Sequence, residues 1–220
     1  MCLDETFETL PKTGDGIGVD LGINRLATLS NGERVSNPRI TAKYQKQLAH
    51  EQRLLAKKHK GSRRREKQRL KVARLHAKIA ASRQDVLHKF TSNLVRRFDL
   101  ICIEDLNVRG MIGNHRLAKA LSDASFGQVR AMLDYKCARY GKTLVAIDRF
   151  FPSSKTCHVC GLIVEKLPLD VREWTCPSCR TTHDRDGNAA QNIYAVGQTV
   201  KARGESGRHK VASAASCTIL

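Results

Sequence analysis

The sequence is short of acid, of aromatic rings and of long apolar runs. Its 220 residues hold 21 Asp+Glu against 39 Lys+Arg, a formal net charge of +18. Solubility does not require that imbalance, so it points to a polyanionic partner, nucleic acid first and a membrane surface second. No apolar run reaches the roughly 18–20 residues of a spanning helix, so no membrane insertion is expected. The N-terminus, MCLDETFETL, is acidic where a secretory leader would be basic, and a cytoplasmic location is expected. Aromatics make up 5% of the chain and hydrophobic residues 41%, so the core must be mostly aliphatic.

Cysteine is too sparse for a secreted disulfide scaffold. Of the eight, Cys2, Cys102, Cys137 and Cys217 are scattered. The other four form two C-x-x-C pairs, Cys157/Cys160 and Cys176/Cys179, separated by 15 residues. Each pair directs two thiolates at one ion from a tight turn, and together they make the S₄ shell that suits Zn²⁺. Gly161 and the turn at Pro177-Ser178 fit such knuckles. Four thiolates leave no open position, so this zinc is expected to be structural.

Residues 16–36 alternate or cluster apolar side chains around Gly and Asn-Gly, which predicts strands near 16–22, 25–30 and 33–36. Proline is missing from residues 41–98, where 18 Lys/Arg face 3 Asp/Glu. This stretch is rich in helix formers, is broken once at Gly61-Ser62, and carries an apolar stripe at Leu87, Phe90, Leu94 and Phe98. It predicts a basic helical hairpin over about 39–98. The runs Lys57-Lys58-His59-Lys60 and Arg63-Arg64-Arg65 are its candidate nucleic-acid contacts: Lys57, Lys58, Lys60, Arg63, Arg64 and Arg65. A solvated helix face is the plainer alternative, but the bias is too one-sided for a surface laced with ion pairs. With few aromatics interleaved, phosphate contact is expected rather than base stacking, largely independent of sequence.

Downstream, 99–104 and 142–148 read as buried strands and 105–120 as a loop with partial helix. Residues 122–140 read as an amphipathic helix burying Phe126, Val129, Met132 or Leu133, and Cys137. NAAQNIYAVG is a final helix, and the last 20 residues a frayed tail. Asp20 ends the first strand, Glu104 ends the strand LICIE, and Asp184 and Asp186 open the last helix. A carboxylate that ends an apolar element is costly unless something binds it. Acids on two strands and a helix can converge on one sheet edge, where hard oxygens hold Mg²⁺ or Mn²⁺ for phosphodiester cleavage. Each acid has a plainer reading: Asp20 as a turn residue, Glu104 paired with an arginine, Asp186 as a helix N-cap. The element order favours an α/β, ribonuclease H-like mixed sheet. An actin-like ATP-binding fold shares that order and a D-L-G turn, but the +18 charge and the cysteine pairs argue against it.

Four segments carry a family resemblance: GIGVDLGINRLATLSNGE, ICIEDLNVRGM, FFPSSKTCHVCG and WTCPSCRTTHDRDGNAAQNI. Over roughly residues 10–198 the chain resembles the C-terminal part of the OrfB/TnpB-type insertion-sequence transposases with a zinc ribbon. These are RNA-guided nucleases related to type V CRISPR effectors. The resemblance implies a RuvC-like site with Asp20, Glu104 and Asp186 as catalytic acids. Asp186 is preferred to Asp184 because the family pattern D-x-N-A-A falls on Asp186 to Ala190. It further implies a divalent-metal DNA endonuclease with DNA and a guide RNA as partners, in a prokaryotic cytoplasm and on the nucleoid when bound. A non-catalytic nucleic-acid-binding module and a strand-joining transposase are the alternatives. The expected organisation is a first core part at 1–152, a zinc ribbon insert at 153–183, a final core helix at 184–200 and a tail at 201–220. Only 19 residues precede Asp20, where the family carries a long N-terminal region, so a truncated copy is expected.

Overall fold

The alternation in residues 16–36 folds into three antiparallel strands, β1 (Gly16–Leu21), β2 (Arg25–Leu29) and β3 (Arg34–Ser36). The computed structural model describes residues 8–107, 110, 123–168 and 170–204. Most of the loop expected at 105–120 and nearly all of the tail lie outside the described residues. After β3 come α1 (Ile40–Ala56), α2 (Arg63–Arg97), β4 (Leu100–Glu104), α3 (Phe126–Tyr140) and β5 (Thr143–Ile147). A small hairpin of β6 (Glu173–Thr175) and β7 (Thr182–Asp184) leads into α4 (Arg185–Ala202).

The five-stranded sheet runs β3-β2-β1-β4-β5, with β4 parallel to both β1 and β5. It is a mixed sheet, as the sequence predicts. The period-2 geometry of a strand sorts its residues by face. Ile17, Val19, Ile101 and Ile103 join Leu87, Phe90, Leu94 and Val95 of α2 and Val129, Leu133 and Cys137 of α3 in the main core. The opposite set, Leu100, Cys102, Val145 and Ile147, packs with Ile193 of α4. Asp20 and Glu104 fall in that second set by parity, so both carboxylates lie on the α4 face.

Gly18 lets α4 come close. A Cβ there would lie 2.1 Å from the Ala190 carbonyl oxygen and 2.7 Å from the Tyr194 backbone nitrogen. Only a residue without a side chain tolerates this approach.

Helix α2 is 35 residues long, about 50 Å at 1.5 Å per residue. Its C-terminal half packs on the sheet. In its N-terminal half Gln68, Leu75 and Ile79 are buried, with α1 alongside, while α1 itself buries no residue fully. Ser62 caps α2, its hydroxyl accepting from the Arg65 N–H at 3.2 Å. Among the described residues no helix is long and apolar enough to cross a membrane.

Candidate active site and metal centre

The parallel pairing of β1 and β4 in the register Val19↔Ile103 brings Asp20 and Glu104 to the same end of neighbouring strands. Asp20 is a strand residue, paired with Thr28 of β2, and not the turn residue of the plainer reading. Asp186 comes down on this edge from the first turn of α4. Burial, together with the negative Asp186 and Glu104, pushes the Asp20 carboxyl from 3.8 up to about 8. The positive Arg185 and Arg172 pull weakly the other way. Burial also raises the Glu104 carboxyl.

The charges around the three acids are unequal. Asp186 faces Arg172 Nη1 at 3.4 Å and Arg25 Nη1 at 3.9 Å. Among the described residues Asp20 and Glu104 form no ion pair. Glu104 is therefore not the arginine partner of the plainer reading; its neighbour Asp105 is, binding both Arg130 and Arg149. Asp20 and Glu104, in no ion pair and beside a third acid, are hard-oxygen groups of the kind that Mg²⁺ or Mn²⁺ takes, while among the described residues the four cysteines are the group that already lies close enough together to hold one ion.

The two aspartates of HDRD have different tasks. Asp184 is the N-cap of α4: its Oδ1 accepts from the Gly187 N–H at 2.8 Å, and its other oxygen faces Arg34 at 3.2 Å. The cap expected as an alternative for Asp186 thus belongs to Asp184, and α4 starts one residue later than the boundary at 184.

The sulfurs of Cys157, Cys160, Cys176 and Cys179 all lie within 4.8 Å of one another. The pairs Cys157–Cys179 and Cys160–Cys176 stand at 3.6 Å. A tetrahedral ion with about 2.3 Å bonds sets sulfurs about 3.8 Å apart, so these four could bind one metal ion. The knuckles repeat one backbone pattern. Gly161 N–H donates to the Cys157 carbonyl at 2.8 Å and Cys157 N–H to that of Leu162 at 2.8 Å. Arg180 and Thr181 do the same for Cys176, each bond 2.9 Å. Gly161 (φ 75°) and Arg180 (φ 59°) hold equivalent left-handed positions. The sequence marks the first with glycine and hides the second under arginine. Burial pushes the Cys157 thiol up to about 11, whereas hydrogen bonding with Thr181 holds Cys179 down to about 6. Around the sulfurs, Trp174 packs with half-buried Val164, Leu167 and Val171, an apolar cluster too small to fold alone.

Two asparagines join this unit to α4, and sequence reasoning missed them. Asn188 Nδ2 donates to the Thr156 carbonyl at 2.7 Å, and its Oδ1 accepts from the His158 N–H at 3.1 Å. Asn192 Nδ2 donates to the Thr156 and Ser153 carbonyls at 2.6 and 2.8 Å. Both side chains are buried. Their signal was the spacing of four, one helical turn, in NAAQN.

Residues 2–115 match the model of the OrfB_IS605 family, described as a probable transposase. The chain belongs to this family. Residues 126–193 of this transposase-family chain match a second model, the Cas12f1-like TNB domain. Over 202 residues it is 50% identical to "Putative RNA-guided DNA endonuclease" of Streptomyces pristinaespiralis, covering 92% of this chain and 50% of that one. It is 34% identical over 204 residues to the Escherichia coli K12 protein InsQ, of the same description, covering 86% and 50%. The chain spans about half the length of these relatives. It shares its fold with the protein of a Cas12f1-sgRNA-target DNA complex solved by cryo-EM: TM-score 0.57, 17% identity, 84% of this chain and 50% of that one.

In this family member the hairpin's candidate contacts divide. Lys57, Lys60, Arg63 and Arg64 are exposed and Lys58 is half-buried. Arg65 is engaged within the hairpin, its Nη1 donating to the Leu55 and Lys58 carbonyls at 2.8 and 2.9 Å. Leu55 is in the last turn of α1, its carbonyl also accepting from the Lys58 N–H at 3.2 Å, and Lys58 lies just beyond the helix. The guanidinium of Arg65 thus closes the turn.

Proposed function

We propose that the chain is the nuclease part of a transposon-encoded, RNA-guided DNA endonuclease with a RuvC-like, ribonuclease H-like core. The observation that carries this reading is the approach of Asp20, Glu104 and Asp186 at one sheet edge, two of them in no ion pair among the described residues. The names of the relatives supply the RNA guide and the DNA substrate.

Asp20 and Glu104, with Asp186, are the groups that would hold Mg²⁺ or Mn²⁺. When bound, such ions supply Lewis acidity toward a scissile phosphate and lower the cost of deprotonating water. The protein's own contribution is positional. The sheet fixes Asp20 and Glu104 through backbone pairing, and α4 fixes Asp186. Arg172 and Arg25 occupy Asp186 when no cation does. The four cysteines would hold Zn²⁺ in a closed, structural site that orders residues 153–183, and the asparagines pass that order to α4. Lys57, Lys58, Lys60, Arg63 and Arg64 would take phosphates along the hairpin.

The test is nicking of plasmid DNA by the full chain with Mg²⁺ or Mn²⁺, with and without co-purified RNA. Cleavage lost in Asp20→Ala and in Glu104→Gln, with DNA binding intact, is the expected result. Activity persisting in Asp20→Ala rules out the site. Binding without cleavage in the unaltered chain leaves the non-catalytic module as the better description.

A further inference from the structure

The small hairpin of β6 and β7 has one buried side, and two rings fill it. Trp174 and His183 are direct partners in its register, 8% and 3% exposed. The period-2 alternation of the strands leaves Glu173, Thr175 and Thr182 outside. Two other rings hold the His183 imidazole in place. The Trp174 ring centroid lies 4.8 Å away, and the His158 ring stands edge-on at 4.9 Å. His158 is itself fixed, with its Nδ1 3.0 Å from Asn188 Oδ1.

This packing places His183 Nε2 3.1 Å from the Cys157 sulfur. Cys157 is buried, whereas Cys160 on the same knuckle is exposed. Two ligands of one tetrahedral ion, with bonds of about 2.0 Å to nitrogen and about 2.3 Å to sulfur, lie about 3.5 Å apart. The observed 3.1 Å is shorter than that and suits a hydrogen bond strengthened by charge. A sulfur bound to an ion has no proton to give, so the ring nitrogen is the donor. Four thiolates around one divalent ion carry excess negative charge, and burying that charge is costly unless donors face it.

We infer that His183 is a positioning residue of the cysteine centre. Its Nε2–H donates to the Cys157 thiolate, offsets part of the buried charge and fixes the direction from which that sulfur meets the ion. The inference rests on the reading of the four cysteines as one metal site; it does not rest on the nuclease reading. It extends the division of tasks within the run HDRD: His183 holds the sulfur, Asp184 caps α4 and Asp186 reaches the acid edge. His183 lies three residues before Asp186 and Asn188 two after it. The loop around Cys157 is therefore held from both sides of Asp186. A metal-ligand role and a packing role are the competing descriptions of His183, and each leaves a different signature.

The experiment uses the full chain, unaltered, with NMR-active cadmium in place of zinc and with labelled histidine nitrogen. A proton–cadmium correlation to His183 Hε2 is expected, because coupling passes through an N–H···S hydrogen bond to a metal-bound sulfur. A direct cadmium–Nε2 coupling would make His183 a ligand, and no correlation at all would make it packing alone; either overturns the inference. Competition with a chromophoric chelator then measures zinc affinity in two variants. His183→Phe keeps a ring without the N–H, and zinc affinity should fall about 10- to 100-fold. His183→Gln carries an N–H donor at similar reach and should recover most of that loss. Circular dichroism of the zinc-loaded variants checks the fold; if His183→Phe fails to fold, the cadmium correlation and His183→Gln still decide the matter. Equal zinc affinity in His183→Phe and the unaltered chain overturns the inference, as does a His183→Gln protein no better than His183→Phe. An unaltered chain that takes up neither zinc nor cadmium sinks the four-cysteine reading, and this inference with it.

Discussion

Asn188 Nδ2 donates to the Thr156 carbonyl oxygen at 2.7 Å, which ties the helix carrying Asp186 to the residue before Cys157. Asn188 lies two residues beyond Asp186, so the cysteine unit and the acid edge share a mechanical link one half-turn long. Replacing Asn188 by Ala leaves the His158 N–H without its acceptor and Thr156 with Asn192 alone. A buried group left unpaired costs about 1–3 kcal/mol. Urea unfolding should report a loss of that size, with zinc content by inductively coupled plasma analysis unchanged and cleavage reduced. Zinc lost in parallel with stability would mean that the asparagine serves the cysteines rather than the helix.

Asp20 makes the metal-free protein sensitive to pH. Its carboxyl is held near 8 in the folded chain against an ordinary 3.8, so the folded state keeps a proton that the unfolded chain releases. Stability should therefore fall as pH rises from about 4 to about 8, no more steeply than about 1.4 kcal/mol per unit for one proton. The raised carboxyl of Glu104 acts in the same direction. Denaturant melts at several pH values should show the slope flattened in Asp20→Asn. Added Mg²⁺ should restore most stability at the alkaline end, where the carboxylates ionise. An unchanged slope in Asp20→Asn would place the proton elsewhere.

Asp184 and Asp186 should separate cleanly. Asp184→Ala removes the helix cap and the Arg34 pair, and a lost cap costs about 1 kcal/mol. Cleavage should survive it in proportion to the folded fraction. Asp186→Asn removes only partly exposed pairs with Arg172 and Arg25, worth little in stability. Yet it should abolish cleavage. The opposite outcome would make Asp184 the third acid.

The hairpin offers a contrast within one segment. Lys57→Gln and Lys60→Gln should each reduce the salt slope of duplex binding by about 0.9 without altering the melt. Arg65→Gln should do the reverse: it frees the Leu55 and Lys58 carbonyls and loosens the turn, with a smaller effect on the slope. Proteolysis near residue 60 would read the loosening directly.

Much of this was legible in order along the chain. The strand alternation, the stripe Leu87-Phe90-Leu94-Phe98 and the paired cysteines are local periodicities. Local periodicity survives without knowledge of partners because it reflects which side of one element must leave water. The register was less visible. That Asp20 and Glu104 share a face follows from parity only once β1 and β4 are known to be parallel and paired Val19↔Ile103. The assignments inside short polar runs were not legible at all. Nothing local marks Asp184 rather than Asp186 as the helix cap, or Arg65 in the turn from Arg64 in solvent. A side chain's use there depends on which carbonyl, amide or guanidinium another element brings near.

By itself the sequence determined the elements of the main sheet and its helices, though not the small β6–β7 hairpin, together with the four-thiol donor set and the excess of positive charge. These depend on residue type and spacing alone. Tertiary structure decided the rest. It set the close approach of α4 over Gly18, the asparagine link from Thr156 to α4, and the gathering of three acids on one edge. It also set Arg130 and Arg149 on Asp105, and brought His183 Nε2 to the Cys157 sulfur. Each of these is a contact between groups far apart in the chain. Such contacts exist only after the sheet has brought its strand ends together.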